Sequence, residues 1–137
     1  MYLVNIKFFK RYIWGLVFGD IFISICYFVY PSTITRATFS ISNLSEKLVD
    51  YIYKIDYPVR NCFPSGHCYF AFLFIFATIG LKEVKLGYRI CLWIISLLIV
   101  ASTVLIKQHV LIDVIGALVL ILMIIPIILL IEKKGSK

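Results

Sequence analysis

Charged residues are scarce in this chain. Asp, Glu, Lys and Arg together make up 15% of its 137 residues, against about 25% in soluble proteins. Hydrophobic residues make up 62%, where about 45–50% is usual. A soluble domain this apolar could not keep its surface wetted. A bilayer removes that constraint, because positions facing lipid must be apolar as well. Acidic residues are scarcer still, seven against fourteen basic ones, yet the formal charge of +7 lacks the layout of a nucleic-acid surface. No basic stripe is interleaved with stacking aromatics. The Tyr and Phe residues sit inside apolar runs, Lys7, Lys10 and Arg11 precede the first run, and Lys133, Lys134 and Lys137 follow the last. Basic flanks of this kind mark cytoplasmic ends and contacts with anionic headgroups. Nucleic acid is therefore excluded as a partner. Also missing are internal repeats, low-complexity tracts, a small-residue cleavage site after the first apolar run, and a His/Cys/Asp cluster with metal-ligand spacing. The chain reads as one membrane-embedded domain, residues 1–137, with its first run retained as a span and no metal or cofactor implied.

Cysteine is present four times. Cys26 and Cys91 lie in apolar runs and read as small hydrophobes. Cys62 and Cys68 flank the most polar motif, and the sequence leaves open whether they pair.

What is there is an all-α pattern of four apolar spans, at about 12–30, 65–81, 90–106 and 110–131. Each is near the ~20 residues that one helical crossing requires, the second and third being short. From Ile90 to Ile131 the chain runs for 42 residues with little interruption, about twice one crossing. It must turn back, and Lys107-Gln108-His109 is the only polar cluster near the middle, so His109 is expected at a membrane surface. With the N-terminus inside, nine basic residues fall on the cytoplasmic side and five on the outer side. This predicts cytoplasmic N- and C-termini. The long segment from Pro31 to Pro64 and the turn at Lys107–His109 then share the outer face. Within that segment Asn43 and Glu46 have the spacing of a capping box, and Leu44, Leu48 and Ile52 follow at intervals of four. A short amphipathic helix lying on the membrane surface is expected there. The tail Lys133–Lys137 reads as frayed.

Two constellations carry candidate chemistry. Pro64-Ser65-Gly66-His67 opens the second span. A helix start exposes backbone N–H groups with partial positive charge, Gly66 admits an anion close to the backbone, and Ser65 adds a hydroxyl. The plainer reading is an ordinary helix entry with an interfacial histidine. The second constellation is Ser102, Thr103, Lys107, His109 and Asp113. His109 and Asp113 stand at i, i+4 on one helix face. There the carboxylate can accept one imidazole N–H and leave the other nitrogen free as a nucleophile. A dipole-favoured terminal Asp beside an interfacial His is the plainer alternative. Arg36, the basic residue nearest the outer end of the first span, has the guanidinium geometry to grip phosphate oxygens. By itself it is an ordinary solvated charge.

Taken together and in this order, these residues resemble the type 2 phosphatidic acid phosphatase superfamily, which also includes the vanadium haloperoxidases. Its Pro-Ser-Gly-His motif stands intact at residues 64–67. Its third motif, Ser-Arg, five residues, His, three residues, Asp, is matched by Ser102-Thr103, His109 and Asp113. The resemblance implies a lipid phosphate phosphatase or phosphotransferase. His109 would form a phosphohistidine, Asp113 would orient it, and His67 would protonate the leaving oxygen. Ser65, Gly66 and Arg36 would hold the phosphoryl group, with no cofactor; Ser102 of the third motif is a further candidate, and Lys107, one helical turn beyond Thr103, is a candidate for the charge that Thr103 does not supply. The chain departs from the pattern where Val29, Ala37 and Thr103 replace the family's Lys, Pro and Arg. Other membrane members usually have six spans, with these motifs on the last four. The chain then reads as a minimal version, a truncated gene product, or half of an assembly in which an oligomer or a partner chain supplies further helices. The alternatives are a chain that keeps the fold without turnover, and a haem protein using His67 and His109 as axial ligands, which leaves the Pro-Ser-Gly setting without a role.

Overall fold

The computed structural model describes residues 6–38 and 40–134; residues 135–137 of the tail read as frayed lie outside the described residues. All regular structure among the described residues is helical: α1 Ile6–Val29, α2 Leu44–Ile55, α3 Gly66–Thr78, α4 Leu86–Leu105 and α5 Leu111–Lys134. This is the expected order of four apolar helices and one short polar-segment helix. Three of them, α1, α4 and α5, are long and apolar enough to cross a membrane. At 24, 20 and 24 residues they extend about 30–36 Å, matching a hydrocarbon core of about 30 Å.

The second apolar segment differs from expectation. α3 has only 13 residues, about 20 Å of helix, and stops at Thr78 instead of continuing to Leu81. Gly80 takes a left-handed φ of 76°, which ends the helix, and the Arg11 guanidinium donates to the Ile79 carbonyl at 2.8 Å, satisfying a carbonyl the helix end leaves open. A helix this short is tolerated because it lies inside the bundle. Cys68, Tyr69, Leu73 and Ala77 have no exposed surface, and α3 packs against α1, α4 and α5.

α1 reaches α3 closely because it presents glycine there. A Cβ on Gly19 would stand 2.1 Å from the Tyr69 ring, and one on Gly15 would stand 2.2 Å from Leu73. Small residues four apart let membrane helices approach, and the Tyr69 hydroxyl completes the contact by donating to the Gly15 carbonyl at 2.7 Å. Ile23, Phe76, Leu120, Ile124 and Ile128 fill the remaining core.

At one end of the bundle Arg11 pairs with Glu132 at 2.9 Å and Lys7 with the same carboxylate at 3.4 Å, so the first and last helices begin and end together. At the opposite end, residues 31–38 and 40–65 meet the turn 106–110. α2 has the expected capping box: Asn43 Oδ1 accepts from Glu46 N–H at 2.9 Å, and Glu46 accepts from Asn43 N–H at 3.1 Å. Tyr53 anchors this helix by donating to the Ile106 carbonyl at 2.6 Å. Its apolar side, Leu44, Leu48, Tyr51 and Ile55, remains exposed, as an interfacial helix requires. Asp20 lies exposed on the outer surface of α1.

Candidate active site

The α4–α5 turn sets His109. Ile106 N–H still bonds to the Ser102 carbonyl, Lys107 swings to φ 54°, and the N–H groups of Gln108 and His109 both return to the Thr103 carbonyl at 2.9 and 3.1 Å. This closes the carbonyl end of α4 in the manner of a left-handed cap and turns the next side chain inward. Asp113 follows in the first turn of α5, where the helix dipole favours a carboxylate. It is 2% exposed, yet satisfied: Oδ2 accepts from Val110 N–H at 3.1 Å and from His109 Nδ1 at 3.2 Å. With Nδ1–H given to the carboxylate, the lone pair of His109 is on Nε2. Burial holds the His109 imidazole below its ordinary range, opposed by the hydrogen bond and charge of Asp113. The ring is therefore neutral near pH 7.

The α3 entry sets His67. Pro64 does not occupy the first helical position. Ser65 takes the cap, its hydroxyl accepting from Cys68 N–H at 3.3 Å, and the helix begins one residue later at Gly66. The entry is fixed from two sides, by Tyr27 donating to the Pro64 carbonyl at 3.0 Å and by Ser65 N–H donating to the Asp113 carbonyl at 3.2 Å. That second bond ties the start of α3 to the start of α5. It brings the rings of His67 and His109 to 5.9 Å between centroids, inclined by 57°.

Both rings line one cavity of about 310 Å³. Gly66 is on its wall, where the start of α3 leaves the Gly66 and His67 amides without intrahelical acceptors. Tyr27, Arg60 and Gln108, which the sequence did not single out for the site, also line it, as do Asp56, Val59, Asn61 and Phe70. Arg60 was legible only as one of the outer-face charges, four residues before Pro64. Nothing periodic marks it as a cavity residue, although a cation on the segment leading into an anion cradle is the available signal. Cys62, also on the wall, is buried, and burial with the Asp113 charge pushes its thiol up. It stays protonated and does not compete as a nucleophile.

The remaining expected residues lie elsewhere. Ser65 is fully buried as the helix cap. Arg36 pairs with Asp56, donates to the Tyr53 carbonyl at 3.0 Å and stacks over the Tyr53 ring at 4.6 Å. A neighbouring carboxylate and ring have captured its guanidinium, and only Asp56 of that group reaches the cavity. Ser102 is exposed, its hydroxyl bonded back to the Ile99 carbonyl at 2.8 Å. Lys107 faces a separate hollow against α2, with Glu46 and Tyr53. Thr103, where the resembled motif has Arg, is buried in packing, with its hydroxyl 3.5 Å from the Cys68 sulfur. All four cysteines are free. Among the described residues, no group of His, Cys, Asp and Glu is arranged to hold a metal ion.

A sequence model described as the PAP2 superfamily matches residues 22–136, a span that includes every residue of the cavity and agrees with the resemblance drawn from the motifs. No curated protein and no solved structure matches the chain.

Proposed function

The chain belongs to the PAP2 superfamily, and from that premise we propose that it is an integral membrane phosphatase or phosphotransferase acting on a lipid phosphate or diphosphate through a phosphohistidine at His109. Membership supports a phosphatase-type function in general. The observation that carries the finer reading is the His109–Asp113 pair, buried and bonded at 3.2 Å, with His67 across the same cavity.

In this reading the Nε2 lone pair of His109 attacks phosphorus and the bond from phosphorus to the leaving oxygen breaks, with His67 giving that oxygen its proton. Asp113 accepts the Nδ1 hydrogen bond and stabilises the positive charge that the ring gains. His67, now neutral, takes a proton from water or an alcohol, which attacks the phosphoryl group and breaks the phosphorus–nitrogen bond. Negative charge on the phosphoryl oxygens is met by the Gly66 and His67 amides, by Arg60 and by the Gln108 side chain, in place of Arg36, Ser102 and Lys107. The richer supply of basic residues at the terminal end supports a reading with that end in the cytoplasm and the cavity on the outer face.

Purified protein in detergent is expected to release phosphate from one or more lipid phosphates, to be inhibited by vanadate, and to lose turnover in His109→Ala. Absence of release from every lipid phosphate tried would count against the reading. A chain that keeps the fold without turnover is the second reading, favoured by the capture of Arg36 by Asp56 and the packing role of Thr103.

A further inference from the structure

We infer that the catalytic cavity continues past His67 into an apolar groove between α3 and α4, and that this groove holds the hydrocarbon chain of the substrate. The inference rests on the phosphatase reading for the identity of the headgroup. It adds where the rest of the molecule lies.

Two apolar hollows of similar size flank the histidines. One, of about 410 Å³, lies between α3 and α4 with Tyr12 of α1 on its wall; the other, of about 350 Å³, lies between α1 and α5. Only the first shares residues with the polar cavity: His67 and Phe70 line both. The α1–α5 hollow contains neither histidine and is bounded at its upper end by Phe63 and Pro64. A substrate whose phosphorus lies at His109 therefore has a direct apolar continuation past His67, down the α4 side of α3.

The groove is preformed. Its α3 wall carries Ala71 and Phe74 below His67, at i, i+4 and i+7 on one face, and its α4 wall carries Ile95, Ser96 and Ile99. From His67 to Phe74 the helix descends about 10 Å. Above the groove the Cys68 sulfur meets the Thr103 hydroxyl at 3.5 Å. Below it Trp93 donates to the Thr78 hydroxyl at 2.8 Å. The two helices are thus held together at both ends, and the separation between them is part of the structure. At the floor, Ala71 is small and 6% exposed, which leaves the width a larger residue would fill. The occupant is committed by continuity: a hollow walled by apolar side chains and entered from a phosphate site fits an alkyl chain bearing a phosphate.

Two measurements on the full chain in detergent test this. The first uses octadecylphosphonate carrying a diazirine at mid-chain, a non-hydrolysable probe. Photolysis is expected to label the α3 and α4 peptides that contain Phe74 and Ile99. Octadecyl phosphate should compete with this labelling, and Ile95→Trp, which fills the groove from its open wall, should abolish it. Labelling confined to α1 and α5 peptides, or no labelling that octadecyl phosphate displaces, overturns the inference. The second compares phosphate release from octadecyl and butyl phosphate. Ile95→Trp is expected to lower kcat/KM for the long chain about tenfold, the equivalent of between one and two buried methylenes at about fourfold each, and to leave butyl phosphate unchanged. Met123→Trp, in the other hollow, should alter neither. Groove labelling without phosphate release keeps the groove and removes the phosphatase reading. Equal kcat/KM for the two chain lengths removes the groove and keeps the phosphatase reading.

Discussion

Asp113 fixes which nitrogen of His109 is free, and most of the expected chemistry follows from that single hydrogen bond. Because Asp113 opposes the effect of burial on the imidazole, its removal lowers the His109 pKa further. Asp113→Asn is expected to reduce kcat/KM by roughly 10²–10⁴-fold and to move the acid limb of the pH–rate profile to lower pH. A limb that moves upward contradicts the assignment. In the wild type that limb lies below about pH 6.5, the ordinary histidine value, since the nucleophile must be neutral. The same sign governs stability: the unfolded chain takes up the proton first as pH falls, so the folded state loses stability as pH drops below about 6.5. Lys107 presents the opposite case, a residue whose backbone matters more than its charge. An L-residue in the left-handed region costs about 1–2 kcal/mol, which glycine avoids while losing some of the gain to its more flexible unfolded chain. Lys107→Gly is expected to retain turnover and to gain up to about 1 kcal/mol in denaturation measurements. Loss of turnover at unchanged stability would return Lys107 to the phosphate site. Both contrasts show what local spacing can and cannot reveal. The contact between His109 and Asp113 spans only four residues and was legible, although His109 reaches it from the turn before α5 and not from the helix itself. The capture of Arg36 by Asp56 and the entry of Arg60 into the cavity depend on how an irregular segment folds back on itself, and no periodicity encodes that.

At the scale of the elements, α3 depends on its neighbours. The two contacts at its start, Ser65 N–H to the Asp113 carbonyl and His67 across to His109, sit on a helix whose other side α1 approaches closely. Gly19→Val adds carbons 2.1 Å from Tyr69 at the first atom, an overpacking expected to cost about 1–3 kcal/mol. Thermal unfolding in detergent should show the loss, with turnover falling as well. An unchanged midpoint would mean that α1 does not pack on α3 as described. The four apolar helices, three of them long enough to cross a membrane, and the capped helix α2 were legible because hydropathy and the Asn43–Glu46 spacing are local properties. The true length of α3 was not. It is set by the left-handed Gly80 and by Arg11, which comes from the far end of another helix to meet Ile79. The sequence expectation gave the Ser65 hydroxyl to the phosphate, and the structure instead uses it to cap α3, inside the helix end and away from the cavity.

For the whole molecule, the two ends of the bundle differ in character. Lys7, Arg11 and Glu132 gather at one end, and the histidines and α2 gather at the other. With the terminal end assigned to the cytoplasm, a folding-dependent fluorescent reporter is expected to be bright on either terminus. A reporter that requires the outer compartment should be active when inserted at Asn61. The reverse pattern would place the cavity on the cytoplasmic side without altering its chemistry. The central claim is narrower than topology, and one measurement addresses it directly. The purified protein is mixed with lipid phosphate radiolabelled in the phosphoryl group, quenched in alkali to preserve phosphohistidine, and digested. The account predicts label on the peptide containing His109 and none in His109→Ala. Phosphate release that persists in His109→Ala, or label that resides on any other residue, would contradict it.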